Sequence, residues 1–501
     1  MKQQKWVITP GLILLVAPFF SGCSSGGGSN STPAPLPQIQ NINSSTTPTS
    51  PVSLPIEING SRFQSAPGKV TFTQGNISVD VVPATSAWSD AGLVAAVPTG
   101  NGTTSFTVPG TVSVTVTTSA GTSNAVNVNL VPTLNFNPSA MGWSTTMPLP
   151  KPMTGLRAVA VPGSNSSSAF VIVAGGYDGT ANTTNVWANN LNQDGTVGST
   201  TNTKWTTVTT NPLPTMLAHH AMAEADNTNS LAAVGSCFVY VIGGQVNSTD
   251  VGGTNKVYVS SVDPTSGAVG TWSSLANPLP QSLLGMSATV HNGYLYVAGG
   301  LNTPGTPVNA VYSAAVNSDG TLGTWTTATN TLPTPRAFGT MFVFGGVIYF
   351  INGDPNPSIL PNNQGVGDKD VYYASALRGA VGTWVQNGNS TIHDRAKGLL
   401  FNAYGQVISG EGVYTGSVGS GEMETSTINA NNTTNHALTS WSGLTGSSGP
   451  NANVYNAAGF TSPLASLMNA PRFLILGGQA STGTTGTGGA LSSTVYYNNM
   501  P

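Results

Sequence analysis

Charged side chains are scarce in this chain. Of its 501 residues, Lys and Arg contribute 14 and Asp and Glu 17, so 6% are charged and the formal net charge is -3. This is about a quarter of the usual share in globular proteins. So few cations cannot neutralise a nucleic-acid backbone or attract the protein to an acidic lipid surface. We therefore predict that the chain binds no nucleic acid and is not held at a membrane by electrostatic attraction.

Turn-forming residues are abundant by contrast. The chain has 61 Gly and 34 Pro, without a collagen period and beside a full set of Val, Ile, Leu and aromatic residues. A chain of this length buries a large core. The composition predicts a turn-rich, all-β protein.

The N-terminus has the pattern of an export signal. Lys2 and Lys5 precede an apolar stretch over residues 6–20, which ends at Phe20-Ser21-Gly22-Cys23. These last four residues resemble the bacterial lipobox, although Phe20 stands where Leu is usual. The resemblance implies a signal peptide over residues 1–23 and a diacylated Cys23 as the mature N-terminus. The alternative is ordinary cleavage near Ser21 or Gly22, which would leave Cys23 unmodified.

A flexible tether is predicted over residues 24–35, because this segment is rich in Gly and Ser and ends in prolines. By resemblance to enteric lipoproteins, Ser24 is compatible with an outer-membrane or cell-surface location. Cys237 is the second cysteine of the chain. Once Cys23 is acylated, no intramolecular disulfide is expected.

Residues 36–131 read as one β-sandwich. Short segments of period-2 alternation, among them 55–59, 69–73 and 111–116, are separated by Gly, Pro and Asn. The order of landmarks, with Gly60 before Phe63 and Trp88 before a strand that ends in Val97-Pro98, resembles the IPT/TIG immunoglobulin-like domain. That resemblance implies a spacer or binding module, in which Trp88 belongs to the core.

Residues 141–501 repeat. Tryptophans recur 53 to 67 residues apart, a spacing that favours propeller blades; they are Trp143, Trp205, Trp272, Trp325, Trp384 and Trp441. Each repeat continues with a Leu-Pro turn, an apolar strand that ends in Gly-Gly, and a strand that reads Val-Tyr. This order resembles the kelch repeat and implies a six-bladed β-propeller.

Two repeats depart from the kelch pattern. Asn352-Gly353 and Ser409-Gly410 stand where the others have Gly-Gly, and the fifth repeat has no Val-Tyr. The last repeat ends without a strand that carries a Trp. The strand that carries Trp143, in contrast, has no repeat before it. We expect these two halves to pair and to close the ring, which removes the open sheet edges.

Ligands of propellers bind where the blade loops meet at the mouth of the central channel. In kelch domains the segment after Leu-Pro leads to that mouth, and Arg336 and Arg395 occupy the family's Arg position. We expect a cationic site there for a carboxylate or sugar hydroxyls. Its candidate ligand-binding residues are Arg157, His219, His220, Arg336, His393, Arg395 and Lys397. The alternative is that the arginines tie the blades together through backbone carbonyls.

The sequence favours a lipid-anchored binding or adhesion protein whose partner is a glycan or a surface protein. A resemblance to the sialic acid mutarotase leaves an enzyme open, with Glu224, Glu411 and Arg336 as candidates for the acid and the base that such an enzyme uses. A purely architectural role in the envelope is the third possibility. We assign no catalytic residue and predict no cofactor.

Metal chemistry is not predicted either. A copper site of the galactose oxidase type is disfavoured, because the consecutive His219 and His220 point to opposite sides of a strand. Asp354, Asp368 and Asp370 lack the spacing of an EF-hand calcium loop. We interpret them as parts of a solvated loop.

Overall fold

The chain forms β-strands from Gln38 to Asn499. The structure is a computed structural model, and it describes residues 34–43, 45, 48–132, 137–165, 167–198, 204–208, 210–226, 236–249, 252–356, 367–403, 405–414, 417–418, 422–429, 436–444, 454–464, 471–481 and 488–499. The predicted signal peptide, Cys23 and most of the tether lie outside these residues. Among the described residues, no helix has the length and apolar character needed to cross a membrane.

Two sheets build the first domain. Its strands are β1 (Gln38–Ile42), β2 (Thr49–Pro51), β3 (Pro55–Ser61), β4 (Lys69–Gln74), β5 (Ile77–Val81), β6 (Gly92–Ala96), β7 (Gly110–Thr118), β8 (Gly121–Thr122) and β9 (Val126–Val131). One sheet has the order β1-β3-β6 and the other β2-β9-β7-β4-β5, with β8 paired to β7. Short 3-10 turns lie at Thr85–Ala87 and, after the domain, at Pro138–Ala140.

Alternating side chains explain why these sheets stack into an immunoglobulin-like sandwich. Along β7, Val112, Val114 and Val116 are buried while the residues between them face solvent. Trp88 lies in the shared core, and its indole Nε1 donates a hydrogen bond to the carbonyl of Gln64 at 2.9 Å. A buried indole with a satisfied N–H is a core residue.

The strands from residue 142 onward build blades. Strand β10 (Gly142–Thr146) comes first in the chain. Blade one has β11 (Arg157–Pro162), β12 (Ala169–Ala174), β13 (Val186–Leu191) and β14 (Thr206–Thr207). Blade two has β15 (Ala221–Ala225), β16 (Cys237–Ile242), β17 (Val257–Val262) and β18 (Ser273–Ser274). Blade three has β19 (Ser287–His291), β20 (Tyr294–Ala298), β21 (Val311–Ala315) and β22 (Thr326–Thr327).

The remaining blades carry small additions. Blade four has β23 (Thr340–Phe344), β24 (Val347–Ile351), β25 (Val371–Leu377), β26 (Ala380–Val381) and β27 (Val385–Gln386). Blade five has β28 (Leu399–Ala403), β29 (Gln406–Gly410), β30 (Val413–Tyr414), β31 (Ser417–Val418), β32 (Met423–Thr427) and β33 (Ser442–Gly443). Blade six and its loops have β34 (Val454–Tyr455), β35 (Ala458–Thr461), β36 (Phe473–Leu476), β37 (Gln479–Ser481), β38 (Gly488–Leu491) and β39 (Val495–Asn499).

The blades form a closed ring. The innermost strands β11, β15, β19, β23, β28 and β35 each contact the innermost strands of both neighbouring blades. Blade six has the order β10-β39-β36-β35, with Trp143 opposite Asn498. The strand that carries Trp143 thus completes the last blade, so the described strands make a six-bladed propeller.

A left-handed pair of residues ends the second strand of every blade. The pairs are Gly175-Gly176, Gly243-Gly244, Gly299-Gly300, Asn352-Gly353, Glu411-Gly412 and Gly477-Gly478. For blade five, the prediction that Ser409-Gly410 forms this pair was wrong. Both residues belong to β29, where Gly410 pairs with Leu399, and the turn comes one residue later. Glu411 therefore occupies with φ 54° a position that favours glycine.

Buried tyrosines link neighbouring blades. Tyr240 donates its hydroxyl to the carbonyl of Gly320 in the next blade at 2.7 Å, and Tyr349 does the same to the carbonyl of His436 at 2.8 Å. Between blades three and four, the N–H of Gly379 donates to the Tyr296 hydroxyl at 2.9 Å. Each bond satisfies a polar group that burial would otherwise leave unpaired.

The sandwich packs on blades three to five. Leu54 and Val94 belong to one hydrophobic cluster with Val347 and Trp441 of the propeller. The sandwich meets the hairpins that join the first two strands of these blades, which is the end of the channel opposite the loops after Leu-Pro. Residues 36–501 accordingly form one compact unit.

Candidate functional site

Six residues encircle one end of the central channel. Each follows the Leu-Pro segment, or its equivalent, and comes shortly before the innermost strand of a blade. They are Gly155, His219, Gly285, Phe338, Lys397 and Asn456, and their φ values lie between 54° and 64°. We call them the channel ring.

Backbone hydrogen bonds close the channel ring. The N–H of each member donates to the carbonyl of the preceding member, at 2.7 to 3.2 Å, and Gly155 donates to Asn456 across the point of closure. The left-handed conformation turns each segment from the rim into its inner strand. The ring therefore fixes the backbone of every residue at the channel mouth.

The larger side chains of the channel ring pack against neighbouring ring members. The His219 and Phe338 rings meet edge to face, with centroids 5.7 Å apart. Lys397 Nζ lies 5.0 Å from the centroid of Phe338. A Cβ at Gly155 would come within 2.9 Å of His219, and one at Gly285 within 2.7 Å of Phe338. The two glycines thus provide the space into which His219 and Phe338 fold.

A cavity of about 190 Å³ lies between the inner strands beside the ring. Its wall includes Ser287, Thr340 and Asn402, and the Asn402 side-chain nitrogen has no hydrogen-bond partner among the described residues. The charged residues of the wall are Arg157 and Lys397, and none of the residues that line the cavity is a carboxylate. The cavity is therefore electropositive.

Burial lowers the pKa of both cations. The pKa of Lys397 falls to about 8, although Asp354 acts in the opposite direction, and that of Arg157 falls to about 10. Burial also lowers the pKa of His219 to about 3, with smaller contributions from Lys397 and Arg157. His219 is thus neutral at physiological pH, and the positive charge of the site belongs to Lys397 and Arg157.

His220 does not reach the channel. Its side chain is fully buried between blades one and two, where a Cβ at Gly175 would lie 2.8 Å from its Cε1. Neither ring nitrogen has a hydrogen-bond partner among the described residues, and burial lowers its pKa to about 3. His220 therefore fills a seam between blades as a neutral side chain.

Arg336 and Arg395 are buried inside their blades. Each donates Nη1 to the carbonyl of the first residue of the left-handed pair: Arg336 to Asn352 at 3.1 Å and Arg395 to Glu411 at 3.0 Å. Their charges are met by Asp368 and Glu424 at 3.2 and 3.1 Å respectively. Both arginines thus bind backbone carbonyls, as the alternative expected, although within one blade and not between two blades. Neither arginine lines the channel cavity.

His393 lies on the side of the propeller that carries the channel ring, but it does not line the cavity. Its Nε2 is 3.1 Å from Glu422, and its Nδ1 is 3.3 Å from Nη2 of Arg395. Both His393 and Glu422 are accessible to solvent. Of the seven predicted ligand-binding residues, the structure brings together Arg157, His219 and Lys397.

The residues considered for acid–base catalysis lie apart. Glu224 is on β15 in blade two, Arg336 is held within blade four, and Glu411 directly follows β29 in blade five. None of them lines the channel cavity. Asp368 and Asp370 face Arg336. In the described part of the chain, no three His, Cys, Asp or Glu side chains are grouped so that they could hold a metal ion.

Sequence reasoning missed Phe338 and Asn456, together with the two ring glycines. Their shared signal is position. Each ring member stands two residues before the first residue of the inner strand of its blade. Side-chain chemistry could not reveal a site that is defined by backbone conformation and contains two glycines.

Comparison with known proteins finds similarity at the level of structure. A solved structure titled "Structure of YjhT" matches with a TM-score of 0.47 and 16% sequence identity, over 70% of this chain and 96% of that chain. No protein-family model matches the sequence. No curated protein matches it either.

Proposed function

We propose that the propeller is a binding module that takes a carboxylate-bearing glycan at the channel ring. The protein would act from the cell surface, to which an acylated Cys23 attaches it. The observation that carries this proposal is Lys397, a cation at the channel mouth whose cavity has no carboxylate in its wall.

Charge supports an acidic ligand. Lys397 and Arg157 face one cavity, and among the described residues no acidic side chain lies within ion-pair distance of either. Keeping two cations partly desolvated is costly unless an anion joins them. A carboxylate would restore this balance, and a guanidinium can bind it with two parallel hydrogen bonds.

Polar groups support a hydroxylated ligand. Ser287, Thr340 and the amide nitrogen of Asn402, which has no partner among the described residues, also line the cavity. Sugar hydroxyls both donate and accept hydrogen bonds, as such a wall requires. The Phe338 ring adds an apolar surface beside the ammonium of Lys397.

The contact between the two domains supports display at a surface. The sandwich packs at the end of the propeller opposite the channel ring. A ligand can therefore approach the ring without meeting the sandwich.

A thermal-shift experiment tests the ligand. The purified full chain is melted with glucuronate, galacturonate or N-acetylneuraminate, and with glucose as the uncharged control. A ligand that binds the folded state alone raises the free energy of unfolding by about 2.7 kcal/mol when its concentration is 100 times Kd. We expect an acidic sugar, and not glucose, to raise the melting temperature.

Two variants locate the site. Lys397→Met should abolish the shift, whereas Lys256→Met should keep it, because Lys256 is an exposed lysine directly before β17 and does not line the cavity. If no acidic sugar shifts the melting temperature of the wild type, the glycan proposal fails. Equal loss in both variants would place the ligand away from the ring and would also overturn it.

A further inference from the structure

The amine of Lys397 is held in place by its backbone. The Lys397 N–H donates to the carbonyl of Phe338 at 3.0 Å, and its carbonyl accepts from the N–H of Asn456 at 3.2 Å. Its side chain crosses the face of Phe338. The channel ring and the contact with Phe338 therefore place the amine at the wall of the cavity.

Lys397 also differs from the other lysines in its surroundings. Lys69 and Lys151 are solvent-accessible and lie 2.7 and 3.9 Å from Asp80 and Asp178. The nearest acidic influence on Lys397 is Asp354, at a distance beyond an ion pair. With a pKa of about 8, roughly a tenth of Lys397 is neutral at pH 7, against less than about 0.1% of an exposed lysine. A neutral amine is a nucleophile.

Arg157 supplies the second half of a recognition site. It lines the same cavity, and one of its guanidinium nitrogens, Nη1, donates to the carbonyl of Leu156 at 2.9 Å. A guanidinium has five N–H donors, so others remain for a ligand. A carboxylate bound there would bring the rest of a small molecule into the cavity that Lys397 faces.

We propose that Lys397 captures a small oxo acid, a molecule with an aldehyde or ketone and a carboxylate, as a reversible imine. The inference rests on the channel-ring site of the proposed function and names its chemistry. The open-chain form of a uronic acid is itself an oxo acid, so the same site accommodates both ligands.

The reaction needs no oxidant or reductant. The lone pair of the neutral Nζ attacks the carbonyl carbon, and the C–O double bond becomes a single bond as its oxygen takes up a proton. The carbinolamine then loses its hydroxyl with a proton from nitrogen, as water, and the C=N bond forms. The two hydrogens of the amine and the carbonyl oxygen leave together as one water molecule.

Reductive trapping tests the inference on the full chain. The protein is incubated at pH 7 with glyoxylate and cyanoborohydride, and the carboxymethylated lysines are identified by peptide mass mapping. We expect Lys397 to be labelled at least about ten times faster than Lys151 or Lys256. Labelling spread evenly over the exposed lysines, with Lys397 no faster, would overturn the inference.

Matched probes separate the amine from the carboxylate site. Glycolaldehyde has the aldehyde without the carboxylate, so it should label Lys397 more slowly than glyoxylate, and Arg157→Met should remove that difference. Equal rates of the two probes in the wild type would overturn the assignment of Arg157. Because mapping is done on wild-type protein, the result does not depend on a Lys397 variant that folds.

The two proposals fail in different ways. If acidic sugars raise the melting temperature through Lys397 but glyoxylate does not label it selectively, the imine inference alone is wrong. If neither effect is found, both are wrong. Selective labelling without any thermal shift by acidic sugars would retain the oxo-acid site and reject the glycan.

Discussion

The Glu57 carboxylate of the sandwich lies 2.6 Å from Nε2 of His291 in the propeller and is completely buried. Its other oxygen accepts a hydrogen bond from the Asn292 amide at 2.8 Å, and that amide also donates to Asn59. A buried carboxylate whose partners all belong to the facing domain joins the two domains. The sandwich is therefore an integral support of the propeller.

Removing this carboxylate should loosen the joint. Glu57→Ala takes away the acceptor of His291 and one of the two acceptors of the Asn292 amide, and we expect a loss of about 3–5 kcal/mol in the free energy of unfolding. Denaturant unfolding measures it. Asp80→Ala, which breaks the exposed Lys69–Asp80 pair, should cost no more than about 1 kcal/mol. Equal losses in the two variants would mean that the buried Glu57 contact stabilises the protein no more than the exposed Lys69–Asp80 pair does.

The neutral His220 should make the propeller sensitive to acid. Its pKa is about 3 when folded and about 6.5 when unfolded, so below pH 6.5 the unfolded chain binds a proton that the folded chain does not. Stability from this residue is thus lost as the pH falls from 6.5 towards 3. Because Leu156 and Met286 occupy the corresponding positions after other ring members, His220→Met should remove the effect.

The measurement is the difference in melting temperature between His220→Met and wild type at several pH values. We expect the advantage of the variant to grow as the pH decreases through this window. A difference that stays constant from pH 7 to pH 4 would contradict the assignment.

Glu411 should make the protein less stable as the pH rises, which is the opposite of the effect of His220. Burial raises its pKa to about 8, while Arg395 and the N–H of Val454 lower it less. The folded chain therefore keeps a proton that the unfolded chain releases above about pH 4.5, and stability decreases as the pH rises from 4.5 to 8. Glu411→Gln keeps an acceptor for the Val454 N–H, whose bond to Glu411 is 3.0 Å long. Its melting temperature should exceed that of wild type increasingly over this range.

A second variant separates the ionisable group from the backbone. Glu411→Gly also relieves the left-handed conformation, which costs a non-glycine residue roughly 1–2 kcal/mol. Because Glu411→Gly also removes the acceptor of the Val454 N–H, the lost hydrogen bond offsets part of this gain. We expect the difference in melting temperature between the glycine and glutamine variants to stay constant with pH, and a difference that changes with pH would contradict the assignment of the titration to residue 411.

Closure by β10 predicts the effect of a deletion. Without residues 141–150, β39 loses the partner that pairs with it from Gly142 to Thr146, and blade six gains an open edge. The deleted protein should melt at a lower temperature and aggregate more readily, as measured by calorimetry and light scattering. An unchanged melting temperature after the β10 deletion would count against closure.

The sequence by itself determined the class of fold. Alternating and fully apolar segments, turn residues and a tryptophan period of 53 to 67 residues are local properties, and local hydrophobic patterns decide which segments become strands and which faces are covered. They led to an all-β chain with a sandwich and a propeller. The resemblance to kelch repeats, and not the patterns themselves, placed the candidate site in the loops after Leu-Pro.

Tertiary structure alone decided which residues of those loops meet. Arg336 and Lys397 are both cations near a Leu-Pro segment or its equivalent, yet Arg336 is buried within its blade and Lys397 faces the channel. Their direction depends on a left-handed backbone residue and on hydrogen bonds between segments some sixty residues apart. Likewise, Glu57 and His291 are far apart in the chain and meet because the sandwich packs on the blades. No local pattern encodes such contacts, since they arise from how separately formed sheets pack.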